Sequence, residues 1–188
     1  MYVVNKIMLQ FTPTAVAVYG IYFRLESFAL MPLYGLSNGM IPILAYNYGA
    51  KKKERIIKII KLSIIYSFVI MVACLIVFQT MPEALLRMFN ATESMLEIGI
   101  PALRTVSISF LFVSFNLIVS TSFQAFGQGM LSLYISMARQ LLLLMPLAYL
   151  FSLTERMHIV WWAYPISECI AAVLCFYFLK IIYKKYIE

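Results

Sequence analysis

The sequence predicts an all-α polytopic membrane protein with five transmembrane helices and an N-terminal helix stub. Of its 188 residues, 63% are hydrophobic and 12% are charged, whereas a soluble domain has roughly 25% charged residues. The apolar residues also form runs of about 20 residues or more, the length that spans a bilayer as a helix. A helix satisfies its own backbone hydrogen bonds in lipid, which an open strand does not. We therefore expect one membrane domain, residues 1–188, in a lipid bilayer.

The chain begins with a short apolar stretch, residues 2–12, which is too short to cross a bilayer and predicts the helix stub. Pro13 follows it, and proline is tolerated in the first turn of a new helix. The first full helix covers about residues 14–46. Its interior prolines, Pro32 and Pro42, predict a kinked or bendable span. We expect Gly49 to end it in a left-handed conformation.

Four further spans follow. The second leads into residues 82–90, whose mixed apolar and charged side chains predict a short helix in the membrane interface. A tight turn at Gly127 to Gly129 separates the third span from the fourth. The four spans cover approximately 54–79, 98–125, 130–151 and 159–182.

A basic run follows the first full helix and predicts the orientation of the chain. It contains Lys51, Lys52, Lys53 and Arg55, and alternating helices place it on the same side as the C-terminus. Cytoplasmic loops are enriched in Lys and Arg. We therefore expect a multi-pass protein of the cell membrane with a cytoplasmic C-terminus. Binding of lipid headgroups, or gating, is the alternative role for the basic run.

Three ionisable residues lie deep inside predicted spans. Glu26 is about twelve residues into its helix, roughly 18 Å from the helix start. Arg139 and Glu168 each lie about nine residues from an end of theirs. Such groups cost at least roughly 2.5–3.5 kcal/mol on insertion scales and face a partner or a cavity. We expect a buried Arg139–Glu168 ion pair, and for Glu26 either a cavity open to a cation or proton, or a structural pairing.

The third span carries a polar stripe. Ser109, Asn116, Ser120 and Gln124 follow one another at intervals of seven, four and four residues, which places them on one helix face. They are candidates either for hydrogen bonds between helices or for the lining of a substrate cavity. The aromatic side chains, Tyr22 among them, either line a drug pocket or fill the bundle and face lipid.

Other functional classes find little support in the sequence. The single histidine lies in a predicted loop, and neither a P-loop nor a GxSxG motif occurs. We therefore expect no enzyme, no catalytic residues, no metal site and no cofactor. The net charge of +7 comes from basic residues at the ends of spans, which membrane topology explains without a nucleic-acid partner.

Several segments resemble the C-terminal lobe of multidrug and toxic compound extrusion (MATE) transporters. The region linking the second and third helices of that lobe is similar to AVYGIYFRLESFALMPLYGLSNGMIPILAYNYGAKKKER, residues 17–55. Four further segments follow in the family's order: ALRTVSISF (102–110), FQAFGQG (123–129), RQLLLLMPLAYL (139–150) and VWWAYPISE (160–168).

This resemblance implies a protein of twelve helices in two six-helix lobes that exports cationic or amphipathic compounds in exchange for H⁺ or Na⁺. The chain then corresponds to one lobe, and we expect transport to need the missing N-terminal lobe or a second copy. The sequence departs from the family at the coupling site, because carboxylates of the sodium-coupled subgroup lie on the seventh and tenth helices. The stub and the membrane part of span 98–125 have no acid, which leaves Glu26 as the candidate within the first full helix.

Two alternatives stay open. A related flippase for lipid-linked saccharides shares the two-lobe plan. A truncated membrane protein that does not transport is the other.

Overall fold

The computed structural model describes residues 2–154 and 156–184, and within these ranges every regular element is helical. The C-terminal residues 185–188, for which we expect a cytoplasmic position, lie outside the described residues. The helices are α1 (Tyr2–Phe11), α2 (Pro13–Gly49), α3 (Lys53–Thr80), α4 (Pro82–Arg87), α5 (Glu93–Ser107), α6 (Phe110–Ala125), α7 (Gly129–Met137), a π-helical segment (Ala138–Leu144), α8 (Met145–Ser152), α9 (Met157–Val160) and α10 (Ala163–Ile182).

The helices supply up to five membrane spans. Four stretches are long and apolar enough by themselves: α2, α3, residues 129–152 and residues 157–182. The pair α5 and α6 forms a fifth if it is counted as one bent span. The predicted all-α polytopic fold is therefore confirmed.

The third span is not the single straight helix that we expected over 98–125. It begins earlier, at Glu93, and bends by 47° between α5 and α6. At the bend the backbone N–H of Ile108 donates to Thr105, which leaves the carbonyl of Arg104 without its usual partner four residues on. Gln79 of α3 replaces that partner, because its Nε2 donates to the Arg104 carbonyl at 2.7 Å. A neighbouring helix thus stabilises the bend.

The fourth span also departs from a regular α-helix. Its middle turns, Ala138–Leu144, are π-helical, with no break in the chain on either side. Pro146 follows directly. Proline has no N–H to donate, and its ring crowds the carbonyl four residues earlier, which disfavours tight α-helical turns in this segment. Arg139 therefore lies in a widened part of the helix.

The first end of α2 has a side-chain cap, and its last end differs from the expectation. At its start Thr12 accepts a hydrogen bond from the N–H of Ala15 at 3.1 Å, as an N-cap residue does. At its other end Gly49 remains helical, and the left-handed residue is Lys51 with φ 54°. The expectation for Gly49 was wrong. The closing hydrogen bond runs from Lys52 to the Asn47 carbonyl at 3.0 Å, which places the special position two residues later.

Two apolar cores fill opposite ends of the bundle. The first contains α1, the first half of α2, the last part of α3, α5 and Trp161. The second contains the end of α2, the beginning of α3, the end of α6 and the last turns of α10. Because Leu44, Ile56 and Ile182 share this second core, the basic run and the end of α10 lie at the same end of the bundle. We call it the basic end.

Candidate functional site

A polar cluster lies between the two cores. Glu168 of α10 and Arg139 of the π segment form a salt bridge with 3.1 Å between Nη1 and Oε1. The same nitrogen lies 3.3 Å from Oε2. The exposed fractions of the two side chains are 28% for Arg139 and 15% for Glu168. The sequence-predicted partners therefore meet across two helices, in a site that shields both charges.

Asn116 of α6 completes the cluster. Its Nδ2 donates to Oε2 of Glu168 at 2.8 Å and to the Glu168 backbone carbonyl at 3.0 Å. Three helical segments therefore converge on one carboxylate, which accepts from a guanidinium and an amide. This arrangement orients Glu168 and compensates for the water that its charge has lost.

Glu26 lines a cavity of about 300 Å³ together with Arg139 and Glu168. The wall contains four aromatic side chains, Tyr19, Phe23, Tyr34 and Tyr164. With both carboxylates ionised, the three charged side chains sum to one negative charge. In that protonation state the cavity combines a net negative wall with aromatic faces, which attract organic cations.

A second cavity, of about 130 Å³, lies on the basic-end side of the cluster. Asn116, Ser120 and Gln124 line it, and so does Arg139. Ser120 and Gln124 both bond to Ser132 of α7, with Oγ–Oγ 2.6 Å and Nε2–Oγ 2.9 Å respectively. The structure thus brings three of the four residues of the predicted polar stripe to one cavity.

Two predicted site residues lie elsewhere. Ser109 sits at the bend between α5 and α6, where its Oγ donates to the Val106 carbonyl at 2.7 Å. Tyr22 is buried with 1% exposure and packs edge-on against Tyr164, with ring centroids 5.5 Å apart. It belongs to the apolar core beside the larger cavity, and Tyr19 faces that cavity in its place.

The basic run is fully at the surface. Lys51, Lys52, Lys53 and Arg55 are all exposed. Among the described residues, no three His, Cys, Asp or Glu side chains come together as a metal site.

Sequence reasoning missed part of both cavities. Tyr164 and Gln140 line the larger cavity. Ser136 lines the smaller cavity, and Ser132 bonds to Ser120 in its wall. The signal for the serines is their spacing, since Ser132, Ser136 and Arg139 recur every three or four residues and share a helix face.

Comparison with known proteins points to one family. The family model MatE matches residues 1–150. Multidrug export protein MepA of Staphylococcus aureus (strain N315) is 28% identical over 181 residues, which cover 95% of this chain and 40% of the relative. The protein of the same name from Staphylococcus haemolyticus is 27% identical over 175 residues, which cover 93% and 38%. The chain spans about 40% of the length of these relatives.

Solved structures share the fold. A multidrug resistance MATE family transporter of the MOP superfamily in its outward-facing conformation matches with a TM-score of 0.90 and 22% identity. The match covers 96% of this chain and 41% of that one. An inward-facing conformation of such a transporter matches with a TM-score of 0.89 and 22% identity, over 96% and 42%.

Proposed function

The chain belongs to the MatE family, and from this premise we propose that it forms one lobe of a secondary active efflux transporter for cationic or amphipathic compounds. We propose that the chain is the C-terminal lobe of this transporter. Export would occur by antiport, driven by an H⁺ or Na⁺ gradient. No enzymatic step and no cofactor besides the coupling ion are part of this proposal. The protein would act as a multi-pass protein of the cell membrane, with its basic end in the cytoplasm.

The observation that carries the proposal is the cavity beside Glu26. Its volume of about 300 Å³ reaches the range of about 300–1,000 Å³ typical of small-molecule sites. A carboxylate inside a membrane span is costly and is retained where it meets a substrate, an ion or a partner. Arg139 is held by Glu168 at 3.1 Å. Glu26 therefore supplies the carboxylate for which a substrate cation and a coupling ion compete.

Alternation between two bundles would move the substrate. This chain matches part of an outward-facing transporter and part of an inward-facing one, with TM-scores of 0.90 and 0.89. The similar values support a bundle that moves as a unit and does not refold between states. Transport by rocking needs a second bundle, so the transporting unit would contain an N-terminal lobe or a second copy of this chain.

Flux measurements in membrane vesicles test the proposal. Inside-out vesicles from cells that produce the protein are loaded with a pH or Na⁺ gradient, and the uptake of a fluorescent organic cation is followed. We expect uptake that stops when the gradient is collapsed. Vesicles with the protein but no gradient-dependent uptake above protein-free vesicles would contradict the proposal, and rescue of lipid-linked saccharide flipping in the same cells would favour the flippase.

A second experiment addresses the missing bundle. Two copies of the protein with different tags are produced in one cell, and one tag is used for purification. Recovery of the second tag in a stoichiometric complex supports a second copy as the partner lobe. Recovery of one tag only, from protein that transports, excludes a second copy as the partner lobe.

A further inference from the structure

Polar side chains line part of the smaller cavity, beside Leu117, Ile135, Ala171 and Cys175, and form a polar path within it. Its polar wall consists of Asn116, Ser120, Thr121, Gln124, Ser136 and Arg139. The volume of about 130 Å³ has room for several water molecules, because each occupies about 30 Å³ in the liquid. Hydroxyl and amide groups at this depth offer water the polar partners that it needs.

One buried oxygen in this wall has no partner among the described residues. Asn116 is 3% exposed, and its Nδ2 is occupied by Glu168. Its Oδ1 makes no hydrogen bond. A buried acceptor without a partner costs about 1–3 kcal/mol, so a water molecule in the adjoining cavity would stabilise it.

The polar path leads toward the basic end. Gln124 lies at the last turn of α6 and is exposed, while Ser120 lies one turn deeper and is partly buried. Phe126, two residues beyond Gln124, packs on Tyr48 with ring centroids 5.0 Å apart. Tyr48 is near the end of α2, directly before the basic run. The outer end of the path therefore lies toward the basic end of the bundle.

Its inner end is closed by the ion pair. Arg139 lines both the smaller cavity and the larger cavity that contains Glu26. Its guanidinium is fixed by Glu168 at 3.1 Å, and Asn116 fixes the same carboxylate from the other side. The two cavities are thus adjacent, with one salt bridge and one amide between them.

We propose that the smaller cavity is a hydrated entry route inside the lobe, open from the basic end, and that the Arg139–Glu168–Asn116 cluster is the gate between this route and the Glu26 cavity. Release of Arg139 from Glu168 would join the two compartments. We place the route within the lobe, because its lining residues come from four neighbouring segments, α6, α7, the π segment and α10. This proposal rests on the proposed function only for the identity of the ion that uses the route.

Cysteine accessibility tests the route without any measurement of transport. In a background with Cys74, Cys169 and Cys175 replaced by alanine, Ser136→Cys reports on the smaller cavity. Lys52→Cys, at the exposed basic run, identifies the vesicle preparation whose basic end faces the reagent. We expect a small membrane-impermeant methanethiosulfonate to label Ser136→Cys in that preparation and not in the opposite one. Protection of Ser136→Cys from both sides would overturn the route.

The gate is tested with Ser167→Cys, which lies in the wall of the larger cavity. Its labelling from the basic end should rise about tenfold or more when Arg139→Ala is added, because a gate that opens rarely becomes an open passage. Arg24→Ala, at an exposed arginine of α2, is the matched control and should change nothing. Equal labelling of Ser167→Cys with and without Arg139 would overturn the gate.

A third variant guards against simple misfolding. Glu168→Gln keeps an acceptor for Asn116 but removes the charge that holds Arg139, so we expect faster labelling of Ser167→Cys in protein that still elutes as a single species. Because this experiment needs no substrate, a failure of labelling refutes the route, while the flux measurement alone decides the transport proposal.

Discussion

The Arg139–Glu168 pair should show strong energetic coupling in a double-mutant cycle. Removing one partner of a buried ion pair costs about 3–5 kcal/mol, because it leaves an uncompensated charge. The exposed fractions here are 28% and 15%, so water screens part of that charge and we expect about 2–3 kcal/mol for Arg139→Met or for Glu168→Gln. In the double variant neither member of the pair is left without its partner, so the cost should be no larger than that of a single variant and well below the sum of the two.

Thermal stability of the detergent-solubilised protein provides the assay. For a chain of 150–250 residues, 1 kcal/mol shifts the Tm by about 2–4 °C. Each single variant should therefore lower the midpoint by about 5–10 °C, and the double variant should lower it by no more than that. The folded fraction that survives heating is measured by size exclusion.

An exposed pair of the same chemistry is the control. Arg87 and Glu83 are 2.8 Å apart at the surface, with side chains 50% and 55% exposed. Arg87 donates hydrogen bonds to Glu83 and to Glu93. These two bonds, the one with Glu83 first, raise the pKa of the Arg87 guanidinium. Water screens an exposed helix pair, which therefore contributes little to stability, so Arg87→Gln should leave the midpoint nearly unchanged. Additive losses at Arg139 and Glu168, or equal losses at both pairs, would refute the reasoning.

Three further predictions concern the fold and its orientation. Gly127 has φ +74°, so Gly127→Ala should cost about 1–2 kcal/mol, whereas Gly129→Ala in open space should not lower the midpoint. A Cβ at Gly99 would lie 2.8 Å from Leu86 Cδ1, so Gly99→Val should cost about 1–3 kcal/mol, with partial recovery in combination with Leu86→Ala; no loss would contradict the close contact. Replacing Lys51, Lys52 and Lys53 together by glutamine should reduce the signal of a C-terminal reporter that is active only in the cytoplasm, and an unchanged signal would contradict the expected orientation.

Hydropathy and charge scarcity predicted the spans and the ion pair. Charged groups are so rare in the spans that Arg139 and Glu168 had few alternative partners, and the structure places them 3.1 Å apart. Asn116, Ser120 and Gln124 likewise follow from helical spacing, since a helix places residues four apart on one face. The family resemblance, carried by ordered segments, is supported by the MatE match over residues 1–150.

The irregular parts were not predictable in the same way. Neither Ile108 nor Ser109, at the bend, is a helix-breaking residue, and Gln79 from another helix bonds to the backbone there. Ser109 continues the sequence spacing of the polar stripe, but the bend turns it toward its own backbone at Val106. Tyr22 is an aromatic residue of the kind that lines pockets, yet its ring packs against Trp161 and Tyr164. Tertiary contacts decide these details, and no local pattern records them.

The central claim is that Glu26 couples the substrate to the driving ion in the larger cavity. The most direct measurement is gradient-driven uptake of a fluorescent organic cation by inside-out vesicles with Glu26→Gln, compared with the protein itself and with Glu97→Gln at an exposed site of α5. We predict that Glu26→Gln abolishes the gradient-dependent component at equal protein levels, while Glu97→Gln retains it. Undiminished uptake by Glu26→Gln would contradict the account.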